Sequence, residues 1–287
     1  MLTLTQTREC LDLLGHGPRK QLGQNFLVEP NIVRKSLSMA ALRAGDLVVE
    51  IGPGLGTLTR ALLEAGAKVW AIEFDRDLFR YLSEALAPQY PQQLDLREGD
   101  ALEFPLAGLS GGGAPWLHDA PFKIVANLPY AVATPWMDAV LESWLPEMMV
   151  LMVQKEAADR YTARPGTKHY GPITIFLEAA YFSGGTHKVS SRCFFPAPEV
   201  DSALLKLVRH EHSHTFQTKT KRLIRDLFTQ RRKQIGGLCR QYRDAAIAER
   251  LTEWVDTHLA HLGIESNARP EQIPLEGWLT LDRLIDG

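Results

Sequence analysis

The chain has 287 residues, 45% of them apolar and 23% charged, the proportions of an ordinary globular protein with room for one large domain and a smaller one. Three scattered cysteines (Cys10, Cys193, Cys239) without a C-x-x-C pair speak against a disulfide framework and suit free thiols in a reducing cytosol. Arg8, Glu9 and Asp12 interrupt the N-terminal stretch before any secretory-type apolar run, no segment offers the ~20 apolar residues that span a bilayer, and a formal net charge of −2 excludes nucleic-acid binding by bulk charge alone.

From residue 47 onward strand and helix alternate. Leu47–Ile51 is apolar and β-rich, and 57–65 places Leu58, Ala61, Leu62 and Ala65 at helical spacing before Gly66 stops the helix. Lys68–Glu73 is expected as a second strand and 78–87 as a second amphipathic helix ended by Pro88. Residues 94–97, 122–126 and 148–153 read as further strands. Ser110-Gly111-Gly112-Gly113-Ala114-Pro115 is a surface insertion, and 162–171, with Arg164-Pro165-Gly166, a loop able to edge a substrate cleft. A late strand over 200–208 adds antiparallel pairing at the end of the sheet.

After His210-Glu211-His212-Ser213-His214 the chain turns polar and basic with helical spacing, as in Leu223, Leu227 and Phe228, then Ile247, Leu251 and Trp254. No cysteine or acidic cluster encloses these histidines, so they read as a solvated linker rather than a metal site. The expected division is 1–209 and 210–287. The expected fold is α/β, a Rossmann-like, mostly parallel sheet with helices on both faces, plus a small C-terminal helical domain.

Gly52-x-Gly54-x-Gly56 follows a strand and opens a helix, so backbone can approach a ligand closely. A dinucleotide fingerprint wants glycine or alanine where Thr57 stands, which counts against NAD. Glu73, about twenty residues after the turn, can accept from both ribose hydroxyls. Asp100, in Gly99-Asp100-Ala101, can accept from an adenine amino group, and Glu50 can orient a methionine end. Each acid alone would pass for a turn or cap residue. In register with the glycine turn they point to S-adenosylmethionine.

Asn127-Leu128-Pro129-Tyr130 closes the strand at 122–126. An exocyclic adenine amine is a poor nucleophile because its lone pair is delocalised into the ring. The Asn127 side-chain oxygen and the Leu128 carbonyl can each accept one of its N–H groups, drawing the lone pair out and aiming it. Pro129 fixes the turn without a competing N–H, and Tyr130 can stack on the base. Such a base must be flipped or unpaired to be reached. Phe194, in Cys193-Phe194-Phe195-Pro196-Ala197-Pro198, is the candidate for the opposite side of the sandwich, with core packing as the alternative.

Between Lys219 and Arg243 stand Lys219, Lys221, Arg222, Arg225, Arg231, Arg232, Lys233, Arg240 and Arg243, opposed only by Asp226. A solvated helix face would read the same way, but arginine richness without paired acids favours a phosphate-binding surface. Arg19, Lys20, Arg34 and Lys35 can extend it near the N-terminus.

With these residues assembled, the chain resembles the ribosomal RNA adenine dimethylase family, and its small-subunit branch in particular. The matching segments include Leu22-Gly23-Gln24-Asn25-Phe26-Leu27, Glu50-Ile51-Gly52-Pro53-Gly54-Leu55-Gly56, Glu73-Phe74-Asp75-Arg76-Asp77, Asn127-Leu128-Pro129-Tyr130, Phe195-Pro196-Ala197-Pro198-Glu199-Val200-Asp201-Ser202, Gln230-Arg231-Arg232-Lys233 and Arg269-Pro270-Glu271. The resemblance implies that the Rossmann-like sheet is of the class I methyltransferase kind, with S-adenosylmethionine as donor and dimethylation at N6 of two adjacent adenosines near the 3′ end of small-subunit rRNA. It also implies an immature small subunit as partner. A monomer in the cytoplasm, with no metal and no membrane, is the accompanying expectation. Carried over by position, Asn25, Leu27, Gly52, Glu73, Asp100 and Asn127 hold the cofactor, with the Asn25 segment as a lid. Asn127, Leu128, Tyr130 and Phe194 handle the base. Ala131 stands where the family usually has a polar or aromatic residue, and Gly236-Gly237 where an Arg-Asn pair is common. Two other readings stay open: a large-subunit adenine methylase of the erythromycin-resistance type, and a ribosome-assembly factor acting mainly by binding.

Overall fold

The computed structural model describes residues 2–109 and 120–286, and the insertion expected at 110–115 lies outside them. The chain divides into two compact units, Met1–Ala158 with Phe182–Arg209, and Asp159–Tyr181 with His210–Gly287.

The first unit runs α1 (Leu4–Leu13), β1 (Phe26–Leu27), α2 (Pro30–Met39), β2 (Leu47–Ile51), α3 (Thr57–Glu64), β3 (Lys68–Glu73), α4 (Arg76–Ala85), β4 (Leu94–Glu98), β5 (Phe122–Asn127), α5 (Ala133–Val140), β6 (Met148–Gln154) and α6 (Lys155–Tyr161), the last reaching into the second unit. After α7 (Pro172–Ala180) of the second unit it resumes with β7 (Tyr181–Val189), β8 (Phe194–Phe195) and β9 (Ser202–Arg209). Among the described residues the main sheet has seven strands in the order β4-β3-β2-β5-β6-β9-β7. The first five are parallel, and β9 runs antiparallel to β6 from Ser202 opposite Gln154 to Val208 opposite Met148. The expected class I methyltransferase sheet is therefore present.

The central strands are continuous apolar runs because both faces are covered. Val48, Val49, Ile124, Val125, Val150 and Leu151 are all buried, each stabilising by roughly 1.5–3 kcal/mol relative to exposure. At the far end of β5 from the glycine turn, Lys123 is buried among partners that hold its charge: Asp46 Oδ2 at 2.7 Å, the Ala41 carbonyl at 3.2 Å and Glu147 at 3.9 Å. Helix α4 begins at Arg76, two residues before its apolar pattern, because the Asp75 carboxylate caps it by accepting the Asp77 N–H. It stops at Ala85, and Pro88 sits in a separate 3-10 turn. A two-stranded ladder pairs β1 with β8, Leu27 facing Phe194 and Phe26 facing Phe195.

The second unit contains α7, α8 (Thr218–Thr229), α9 (Ile235–Arg240), α10 (Ala245–Glu253), which continues as a π-helical turn over Trp254–Leu259, and α11 (Leu275–Asp286). Its core stacks Trp254 on Trp278 at 5.3 Å between ring centroids, with Phe228 at 5.7 Å from Trp278. Both indole N–H groups find carbonyls, Gly277 and Ile273, each at 3.0 Å. The junction at 209/210 falls where the composition changes. Residues 159–181, grouped by sequence with the first domain, belong here instead, since α7 packs on α8 and α11. Seven of its nine residues are buried, so no apolar stripe marked its side. Nor is the histidine stretch wholly solvated, because His214 bonds Asp282 at 2.8 Å and His210 meets the Glu178 carbonyl at 3.1 Å.

Candidate active site

Strands β2 and β5 are parallel neighbours from which the sheet is built outward in both directions, so a crevice opens at their carboxyl ends. A cavity of about 310 Å³ occupies it. Glu50, Gly52 and Gly54 form one wall, the Asn25–Leu27 stretch another and Asn127, Leu128 and Tyr130 a third. The turn after β2 holds Gly52 at φ +65° and Gly54 at φ +62°, a region that favours glycine. A Cβ on Gly52 would sit 3.4 Å from the Pro129 ring, and one on Gly54 3.3 Å from Phe26. The glycine turn therefore abuts both the Asn-Leu-Pro-Tyr segment and the lid segment.

Two carboxylates lie deep in this cavity. Glu73, 6% exposed, accepts the Gly54 N–H through Oε2 and the Asp75 N–H through Oε1, both at 2.9 Å. Burial raises its pKa, and those hydrogen bonds oppose the rise. Glu50 is 1% exposed, and burial pushes its pKa up to about 8, with the neighbouring Glu73 charge adding to the effect. The Thr59 hydroxyl lies close enough to oppose that rise, yet by hydrogen-bond geometry Glu50 Oε2 has no partner among the described residues. An orphaned carboxylate oxygen on a cavity wall costs stability until a donor meets it, and the ammonium of a methionine-like ligand is such a donor. Asp100 lines the same cavity, with Oδ1 accepting the Leu102 N–H at 2.8 Å. This donor set fits S-adenosylmethionine. Phe74, 60% exposed on the cavity rim between Glu73 and Asp75, offers a face for an adenine. Its place directly after Glu73 is the signal the sequence offers for it.

On the acceptor side, Asn127 Nδ2 donates to the Asn25 carbonyl at 3.1 Å, which fixes the amide with Oδ1 as its uncommitted atom. The Leu128 N–H donates to Met152 O at 3.2 Å. Among the described residues neither Asn127 Oδ1 nor the Leu128 carbonyl accepts a hydrogen bond. Tyr130 is half-buried on the cavity wall, its hydroxyl 2.5 Å from Ser202 Oγ, and burial raises the phenol pKa. Two acceptors and a clamped aromatic ring thus share one wall.

Phe194 is placed differently from the base-stacking expectation. It is 3% exposed, packs with Leu27, Val189 and Leu204, and does not line the cavity. The alternation of β8 sends it into the main core while Phe195, half-buried, packs against the Leu11, Phe26, Leu55 and Leu78 cluster under the Arg8 guanidinium, 4.9 Å from the ring centroid. Its observed work is packing.

The basic run of the second unit also splits. Arg222, Arg232 and Lys233 are exposed, and Arg232 and Lys233 line a groove of about 490 Å³ with Gln234, Gln241 and Arg269. Lys221, counted with them by sequence, is 2% exposed and lies over Phe176, as does Arg225. Arg231 donates to the Lys168 carbonyl at 3.0 Å and lies 3.7 Å from Glu271. Near the N-terminus Arg19 is spent on Asp75 and Asp77, at 3.0 and 2.8 Å, in a cluster that also includes His16.

Fold and cavity together define the class, a methyltransferase of class I whose acceptor wall suits a planar amine. Residues 15–279 match the model of the ribosomal RNA adenine dimethylase family, and the chain belongs to that family. It is similar to the ribosomal RNA small subunit methyltransferase A of Opitutus terrae, 56% identical over 98% of each chain. It is also similar to that of Moorella thermoacetica, 39% identical over 93% of this chain and 92% of the other. Among solved structures, a dimethyladenosine transferase from Plasmodium falciparum matches with a TM-score of 0.73 at 25% identity, covering 89% of this chain and 95% of that one. The 23S rRNA methyltransferase ErmE reaches 0.62 at 23% identity over 92% and 100% of the two chains, a likeness of fold.

Proposed function

We propose that the protein dimethylates N6 of two adjacent adenosines near the 3′ end of small-subunit rRNA, with S-adenosylmethionine as donor, while the subunit matures in the cytoplasm. The observation that carries this reading is the pair of uncommitted acceptors, Asn127 Oδ1 and the Leu128 carbonyl, on the wall beside the glycine turn. Relatives named small-subunit methyltransferases, at 34% to 56% identity, support the small subunit over the large.

The donor supplies a methyl group on a sulfonium, a leaving group that departs neutral and so asks for no strong base. Glu73 would hold the ribose hydroxyls, since each of its oxygens keeps a lone pair beyond the N–H it already accepts. Asp100 would accept from the adenine amine, Phe74 would stack on that ring, and Glu50 would face the ammonium. Asn25 and Leu27 close the opposite wall. For the acceptor base, Asn127 Oδ1 and the Leu128 carbonyl take its two N–H groups and localise the lone pair on N6, while Tyr130 stacks on the ring. Alignment contributes most to such a transfer, and the amine's proton passes to water afterwards. After the first methylation one N–H is left, and one of the two oxygens would still hold it, with the new methyl in place of the other N–H. The second unit would supply the RNA grip through Arg222, Arg232 and Lys233, with Arg225 and Arg231 shaping the surface beneath, and the protein would act as a monomer away from membranes. No helix among the described residues is long and apolar enough to cross one.

Methyl transfer from labelled S-adenosylmethionine to unmodified small and large subunits, followed by nucleoside mass spectrometry, tests the reading. The expected product is N6,N6-dimethyladenosine in small-subunit RNA alone. Label in the large subunit would move the protein to the resistance-methylase branch, and no label in either would leave the assembly-factor reading.

A further inference from the structure

Residues 15–25 form a strap pinned at the donor side of the cavity that delivers a carbonyl to the acceptor side. Its anchor is Gln24. The Gln24 Nε2 amide donates to Asp75 Oδ2 at 2.7 Å, while its Oε1 accepts the Arg19 N–H at 2.8 Å and lies 3.2 Å from His16 Nε2. Asp75 is buried. It pairs with Arg19 Nη1 at 3.0 Å and donates its own N–H to Glu73 Oε1 at 2.9 Å. One residue beyond Gln24, the Asn25 carbonyl accepts the Asn127 amide at 3.1 Å. A carboxamide has two orientations related by a half-turn, and only one turns oxygen toward an amine. The Asn25 carbonyl selects that one.

We propose that Gln24 is a positioning residue for methyl transfer: by anchoring the strap to Asp75, it holds the Asn25 carbonyl against Asn127 and keeps Asn127 Oδ1 turned to the base. The inference rests on the acceptor role given to Asn127 above. It joins the two sides of the reaction through one hydrogen bond, because Asp75 also touches the donor-side carboxylate Glu73. A strap that merely covered the donor would behave otherwise, and its loss would lower donor affinity and rate together.

The test compares wild type with Gln24→Ala in the full chain. Side-chain amide signals of Asn127 are assigned in ¹⁵N spectra by their disappearance in Asn127→Asp. In Gln24→Ala the protected Asn127 amide proton should exchange with solvent about tenfold faster, as expected for one lost hydrogen bond. Binding of S-adenosylhomocysteine should change by less than about threefold, since the groups meant to hold it are intact. Single-turnover transfer to small subunits should fall by roughly 10- to 100-fold, the scale of a misplaced reacting group, with KM for the subunit unchanged. Gln24→Met keeps the length, loses the donor toward Asp75 and should behave alike, so it serves if Gln24→Ala does not fold.

Unchanged Asn127 exchange in Gln24→Ala, or donor affinity falling as far as the rate, would overturn the proposal. Exchange protection that is lost as described, in a protein that methylates neither subunit, would instead remove the functional reading and leave the strap intact.

Discussion

Glu50 places an ionisable group where water does not reach, and the sign of its effect on stability follows. Its folded pKa of about 8 lies above the ordinary glutamate value of 4.5, so between those limits the native state holds a proton that the unfolded chain releases. The stabilisation is complete below about pH 4.5 and is lost as pH rises toward 8, at no more than ~1.4 kcal/mol per unit. Urea midpoints at pH 5 and pH 8.5 should therefore fall further for wild type than for Glu50→Gln. A donor ammonium facing Glu50 would favour the carboxylate, so binding at pH 7 should release a proton. Calorimetry in two buffers of different ionisation enthalpy reads this directly, and equal heats for wild type would remove the pairing. The acids at strand ends were legible from sequence because each ends an apolar run beside a glycine or at a turn. The Gln24–Asp75 bond was not, because it joins positions far apart in the chain through side chains that would serve equally well as surface polar groups.

The β1–β8 ladder shows the same limit one level up. Two strands of two residues each are too short to carry a readable alternation, so Phe194 looked as available for a base as for the core. Phe194→Ala should lower unfolding stability by about 3–5 kcal/mol. Phe194→Leu should cost less than about 1.5 kcal/mol and leave transfer to small subunits nearly intact. Unchanged stability with a raised KM for the subunit in Phe194→Leu would return the residue to the base site. Strands β2, β3, β5 and β6 were plain in the sequence because burial on both faces demands unbroken apolar runs. Strand β7 was hidden: its Ser183-Gly184-Gly185-Thr186-His187-Lys188 stretch is polar and exposed, the mark of an edge.

For the whole molecule, the charge run that suggested RNA binding holds residues of two kinds. Arg232 and Lys233 face solvent in one groove, whereas Lys221 is a core residue of its unit. Affinity for small-subunit RNA should fall steeply with salt. Arg232→Ala and Lys233→Ala should each lower the slope of log K against log salt by about 1 without altering donor affinity. Lys221→Ala should instead lower thermal stability. A salt response that is flat in wild type would remove the phosphate-contact account, and donor affinity that collapses in Arg232→Ala would remove the division of labour between units. Composition showed where the charges lie in the chain, but which of them turn inward is set by α7, whose apolar surface gave no direction.

The buried Lys123 has a consequence at the other end of its strand. Asn127 lies four positions farther along β5, a span of about 13 Å, and the bond of Lys123 to Asp46 clamps β5 beside β2. Side chains on a strand alternate, so a slip of one position would turn Asn127 to the opposite face of the sheet. The ion pair thus works as one mark on a ruler whose other marks are the ladders with β2 and β6: a contact remote from every ligand helps set which atom meets the base. Lys123→Met should lower the melting temperature and the transfer rate together, because the slip that misplaces Asn127 would also turn the buried Ile124 and Val125 over, and a normal transfer rate in that variant would remove the ruler.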